Sequence, residues 1–227
     1  MVRIIIIILL FIPLLIKAQV STDFGLWGGG SYYLGELNTS THFKSIKPAG
    51  GAFVRYNYNK RYALTGSINL GALSGNDLSS RYLYQNFRAH TFYTPFVDFA
   101  TKFEFNFLPY EIGNDKHPYT LYVTNGIAFA IISYASRPYQ IAVPTGLGFK
   151  FNISKHMGGG IEYTFRKTFT DYIDRMGGSR YYIENSPSYF PLKQKAYLHD
   201  NDWYSMIGFF ISYNIPKSGV KCHTYDN

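Results

Sequence analysis

Seven charged side chains fall in stretches whose pattern is that of β-strands rather than loops: Arg55, Asp98, Lys102, Glu104, Lys150, Glu162 and Arg166. The clearest case is Gly158 to Asp174, GGGIEYTFRKTFTDYID. Ile161, Tyr163 and Phe165 make an apolar line, and Glu162, Thr164, Arg166 and Thr168 make a polar one. A period of two means a strand with one apolar and one polar face. Glu162 and Arg166 could then be a catalytic pair, members of a polar conduction path, or partners that neutralise each other away from water. Unpaired buried charge is costly, so charges on an enclosed face must pair.

Other residues that could do chemistry are scattered. The histidines are His42, His90, His117, His156, His199 and His223, all in expected loops, turns or the tail. None forms an i, i+4 pair or sits at a ligand spacing with cysteine, so neither metal nor cofactor is expected. His90 with Ser79 or Ser80, or His199 with Asp200 and Asp202, could serve an acyltransferase or phospholipase at a barrel rim. Such pairs arise by chance in long loops, and an enzyme is not expected. There is no phosphate-binding loop, no Gly-x-Ser-x-Gly and no dinucleotide fingerprint. Gly28, Gly29 and Gly30 lack a strand-to-helix context and are expected to let inward positions pack closely. Cys222 is the single cysteine, which excludes an internal disulfide framework. It reads as a free thiol or as half of an intermolecular disulfide.

The elements that must position these residues number eight. Alternating segments run from about Asp23 to Leu34, Gly50 to Tyr58, Arg61 to Leu73, Tyr93 to Phe107, Tyr119 to Ser133, Gln140 to Ile153, the stretch from Gly158, and Asp202 to Ile215. Aromatics make up 19% of residues, with Tyr 22 and Phe 19, which favours strands and membrane interfaces. An even number of strands of about ten residues is the arithmetic of a small outer-membrane barrel. A soluble lipocalin-like barrel would alternate similarly with its apolar face inward. Here the polar face is built of Gly, Ala, Ser, Thr and a few charges, which suits a narrow interior better than a solvent surface rich in Lys and Glu. The fold expected is therefore all-β, an eight-stranded antiparallel transmembrane β-barrel with a side-chain-filled lumen. The seven charges fall on its inward faces. An interior of this size is just wide enough for side chains, so a salt-bridged plug is expected in preference to a conduction path. Lys167 breaks the outward apolar line and is expected to snorkel to headgroup phosphates.

Connection lengths orient the barrel. Links around Asn59 and at Ser154 to His156 are short. Those at Glu36 to Lys47, Ser74 to Phe92 and Asp171 to Asn201 are long. Short turns belong in the periplasm and long loops outside. Two links depart from this: Leu108 to Pro118 is long for a periplasmic turn, and Tyr134 to Tyr139 is short for an outer loop. Tyr58, Tyr62, Tyr119 and Tyr213 then end outward faces on the periplasmic side, and Tyr93, Phe169 and Trp203 on the outer side, as two aromatic girdles.

The N-terminus supplies the compartment. Arg3, an apolar run from Ile4 to Ile16 and Lys17-Ala18 read as a secretory signal peptide over 1–18. Residues 19–215 would form the barrel and 216–227 a periplasmic C-terminal tail. The formal charge of +8 comes from scattered basic residues, so an exported chain of this kind points to membrane lipid and not to nucleic acid.

Five stretches, SYYLGELN (31–38), RYNYNKRYALTGSINLGALSGND (55–77), KFEFNFLPYE (102–111), GLGFKFNISKHMGGGIEYTFRKTFTDYID (146–174) and GFFISY (208–213), together resemble the Bacteroidetes outer-membrane β-barrel family that includes PorG of the type IX secretion system. RKTFTDYID is the most distinctive, and FNFLPYE fills the overlong turn. The resemblance implies a non-enzymatic part of a secretion and gliding machine, set in the outer membrane and contacting a periplasmic ring of the PorK and PorN type. It carries over no catalytic residues. On that reading the contacts fall in the turn Leu108 to Pro118, with Pro109, Tyr110 and Glu111, and in the tail around Cys222. The alternative is a small porin-like or lipid-modifying barrel.

Overall fold

The computed structural model describes residues 21–35, 42–43, 45–76, 91–135, 137–169, 173 and 202–216. The expected signal peptide and most of the expected tail lie outside them. Eight strands follow one another: β1 (Ser21–Leu34), β2 (Lys47–Asn57), β3 (Tyr62–Asn76), β4 (Thr91–Asn106), β5 (Tyr119–Ile132), β6 (Tyr139–Asn152), β7 (Met157–Thr168) and β8 (Trp203–Pro216). Each pairs antiparallel with its neighbours, and β1 closes on β8.

The register fixes the size of the interior. Partners followed once around the barrel run Ser21, Asn57, Ala63, Glu104, Thr124, Gly146, Thr164, Met206 and back to Ser31, a stagger of ten residues along β1 (21 to 31). Eight strands with a stagger of this kind tilt by roughly 35–45° and leave room for side chains but not for an aqueous channel.

Alternation decides which side chains enter. In β4, Phe92, Thr94, Phe96, Asp98, Ala100, Lys102, Glu104 and Asn106 are buried, while Tyr93, Phe99, Thr101 and Phe103 between them are exposed. The outer wall is apolar. Leu26, Ile127 and Phe209, all at mid-strand, are 69%, 68% and 69% exposed. A surface of this kind around a closed barrel has hydrocarbon as its solvent. The lipocalin-like alternative, with the apolar face inward, is excluded. Tyr62, Tyr119 and Tyr213 are exposed at one end, and Tyr93, Phe169 and Trp203 at the other, where rings meet headgroups.

Several strands are longer than the alternation predicts. Ser74, Gly75 and Asn76 pair with Tyr93, Phe92 and Thr91, and Lys47 and Pro48 pair with Ser31 and Gly30. These residues break the apolar period, but backbone pairing does not require it. The three expected close-packing glycines divide. Gly29 shares the inward register, where a Cβ would lie 2.0 Å from the Ile207 carbonyl oxygen. Gly28 faces outward over open space, and Gly30 faces outward beneath Ile46.

Candidate functional site

Successive inward positions on neighbouring strands bring the charged residues together. Near the periplasmic end, Asp23 accepts hydrogen bonds from Asn57 Nδ2 (2.9 Å) and Asn214 Nδ2 (2.6 Å). One layer further in, the Glu104 carboxylate receives Arg55 Nε (2.9 Å), Lys150 Nζ (2.5 Å) and the Thr65 hydroxyl (2.5 Å). Lys150 Nζ also donates to Asn106 Oδ1 and lies 4.1 Å from the centre of the Tyr122 ring. Tyr122 fits because a Cβ on Gly148 would come within 2.3 Å of its ring. At mid-barrel Lys102 pairs with Glu162, whose other oxygen accepts the Tyr122 hydroxyl (2.6 Å). Above it Arg166 holds Asp98 through Nε (3.1 Å) and Nη2 (3.3 Å), and Tyr204 and Asn69 donate to the same carboxylate.

All seven charges expected in the lumen are there, and Asp23 joins their network as an eighth. The sequence held a signal for it. The seven comprise four cations and three carboxylates, which leaves one positive charge over, and Asp23 shares the inward face of β1 with Trp27 and Ser31. With it the network balances at four against four. Among these charges remains a cavity of about 30 Å³, bordered by Arg55, Lys102, Glu162 and Arg166 with Phe53 and Phe210. That is room for a water or two, so the lumen is plugged.

Above the charges the interior turns apolar, which the alternation did not reveal. Tyr33, Leu73, Phe92, Phe96, Ile132 and Met206 pack as one buried cluster. Asp202 closes its top, accepting from the Tyr33 hydroxyl (2.5 Å) and the Ile173 backbone N–H (2.9 Å). His90, His199, Asp200, Ser79 and Ser80 lie outside the described residues, as does Cys222. His117 and His156 are in the periplasmic turns.

The overlong turn between β4 and β5 folds across the periplasmic mouth. Tyr110 N–H donates to the Lys60 carbonyl (2.9 Å), Arg61 Nη1 to the Phe107 carbonyl (2.7 Å), and Asn152 Nδ2 to the carbonyls of Glu111 and Asn114 (both 3.2 Å). Lys60 pairs with Glu111 at 3.0 Å. Gly113 turns in the left-handed region (φ 82°), where a Cβ would lie 2.3 Å from the Lys155 carbonyl oxygen. Three turns thus form one floor. Of the expected contact residues, Tyr110 is buried and Pro109 and Glu111 are half-buried. Burial pushes the Tyr110 phenol up. Partial burial also raises Glu111, but the Asn114 hydrogen bond and the Lys60 ammonium outweigh it and hold this carboxyl below its usual range.

Distant likenesses to solved barrels accompany this geometry. Ail, the attachment invasion locus protein of Yersinia pestis, in its complex with the heparin analogue sucrose octasulfate, has a TM-score of 0.49 at 10% identity, covering 87% of this chain and 99% of Ail. The N-terminal β-barrel domain of Pseudomonas aeruginosa OprF has a TM-score of 0.46 at 10% identity, covering 87% and 98%. OprG of the same organism has a TM-score of 0.42 at 11% identity, covering 89% and 100%. Among curated proteins no sequence matches. The model of one protein family, described as a domain of unknown function, DUF6089, matches residues 2–224.

Proposed function

We propose that this chain, which belongs to the DUF6089 family, is a non-enzymatic outer-membrane component of a type IX secretion and gliding machine that docks a periplasmic ring of the PorK and PorN type. The motif resemblance to the PorG-containing family supports the reading. The observation that carries it is the floor. A barrel needs only short turns to reverse its strands, yet here the eleven residues from Leu108 to Pro118 are spent on a platform tied to two other turns. Those three turns hold Lys60, Arg61, Lys116 and Lys155 against Glu111 and Asp115. The platform crosses the barrel axis, so it faces aqueous periplasm and not headgroups. A rigid, mainly cationic surface costs little to order on binding and suits an acidic protein partner.

The test replaces residues 108–118 with a two-residue turn and removes 217–227. Loss of co-purification with ring proteins from detergent-solubilised outer membrane is expected. Unchanged recovery with both segments gone sinks the reading. In planar bilayers the intact barrel is expected to be silent, and steady single-channel current would favour the porin-like alternative.

A further inference from the structure

We infer that the outer end of the β7–β8–β1 wall is a binding site for a phosphorylated lipid of the outer leaflet, with Lys167 as its anion-binding group. This inference is independent of the secretion reading. Three observations meet there.

The first is the cation. Lys167 faces outward at the level of the outer girdle, directly across from Trp203. Its ammonium lies 5.1 Å from the Trp203 ring centre, and it has no carboxylate partner among the described residues. A lysine held over an aromatic ring at headgroup height keeps its donors free for phosphate.

The second is a strained segment of the first outer loop that folds back onto the outside of the barrel. Phe43 and Ser45 have φ of 63° and 58°, a region that a bulky residue seldom enters. Phe43 is held on Tyr32 (5.2 Å between ring centres) and Tyr163 (6.1 Å). Tyr32 is thereby wholly buried although it sits in the outward register of β1. Phe43 and Ile46 remain half exposed, forming an apolar ledge beside the wall.

The third is a polar chain below the cation. The Tyr32 hydroxyl meets the Tyr163 hydroxyl at 2.5 Å and His42 Nδ1 at 3.2 Å. The His42 ring stands 6.5 Å from Phe165, two residues before Lys167 on the same outward face. Exposed imidazole and ammonium therefore flank an aromatic floor, with an apolar ledge alongside. This is the chemistry of an amphiphile with a phosphate on its headgroup and acyl chains against the wall.

The full chain in detergent, examined by native mass spectrometry, provides the test. The probes are bis-phosphorylated lipid A, the same lipid with its phosphates removed, and inorganic phosphate as competitor. Retention of the phosphorylated lipid is expected to fall about tenfold or more in Lys167→Ala, the loss of one charge-assisted contact. Lys167→Arg should retain most of it. Heat-modified gel mobility confirms closure of the barrel, and Lys167→Glu serves as a second variant should Lys167→Ala fail that check. Equal retention by wild type and Lys167→Ala would overturn the site, as would equal retention of the dephosphorylated lipid. Displacement by millimolar inorganic phosphate would overturn the lipid assignment in favour of a soluble anion.

Discussion

The two halves of the lumen solve the same filling problem with opposite chemistry. From the periplasmic end through mid-barrel, four cations and four carboxylates pair off, with Glu104 receiving both Arg55 and Lys150. Towards the outside, Leu73, Phe96, Ile132 and Met206 fill the same cross-section with hydrocarbon. A charged lattice is intolerant of single deletions because each removal strands a partner in low dielectric. An apolar cluster loses stability in proportion to the volume removed. The barrel is therefore specified by pairing at one end and by packing at the other.

The largest effect that would separate these regimes is at Glu104. Glu104→Ala strands two buried cations and should cost about 3–5 kcal/mol. The quadruple variant Asp23→Asn, Arg55→Met, Glu104→Leu, Lys150→Met removes the whole cluster and should come out near neutral. Urea unfolding of vesicle-inserted protein measures both. If the quadruple variant is as unstable as the single one, the charges do more than neutralise one another, and the comparison breaks.

A graded response is expected in the outer half. Leu73→Ala should cost about 2–5 kcal/mol, and the volume-conserving Leu73→Met less than about 1.5. The same unfolding series reads both. Equal losses for the two variants would mean that Leu73 is not in a cavity-limited core, and the contrast between the halves would weaken.

The charged half was legible in the sequence because period-two alternation in an apolar wall leaves only one place for Arg166 or Glu104. Strand count followed from the same alternation. The apolar half was not legible. At the strand tops, runs such as Ala72-Leu73 and Ile131-Ile132 are apolar on both faces, and periodicity cannot assign a side to them. Tyr32 shows a different limit. Its register is outward, as the alternation has it, but a loop segment covers it, and no local pattern encodes that contact. The turn from Leu108 to Pro118 was conspicuous by length alone. Its role as a floor depends on how three turns meet, which only the closed register determines.

The floor extends the charged half into water, and there the electrostatic effect should be smallest. Glu111 accepts from Asn114 Nδ2 (3.1 Å) and pairs with Lys60 (3.0 Å), both partners of the ion pair being nearly half exposed. Its carboxyl titrates below the ordinary range when folded. Its contribution is therefore complete above the unfolded carboxyl value and is lost as pH falls through the lower folded one. Solvent screening keeps such a pair at or below about 1 kcal/mol, so acid should loosen the floor without opening the barrel. Amide shifts of Tyr110 and Asn114 in nanodiscs should move together at a pH below the usual glutamate midpoint, and Glu111→Gln should abolish that step. A step at the ordinary glutamate value would mean that the Lys60 pair does not hold in solution. The floor would then rest on the Tyr110, Arg61 and Asn152 hydrogen bonds alone.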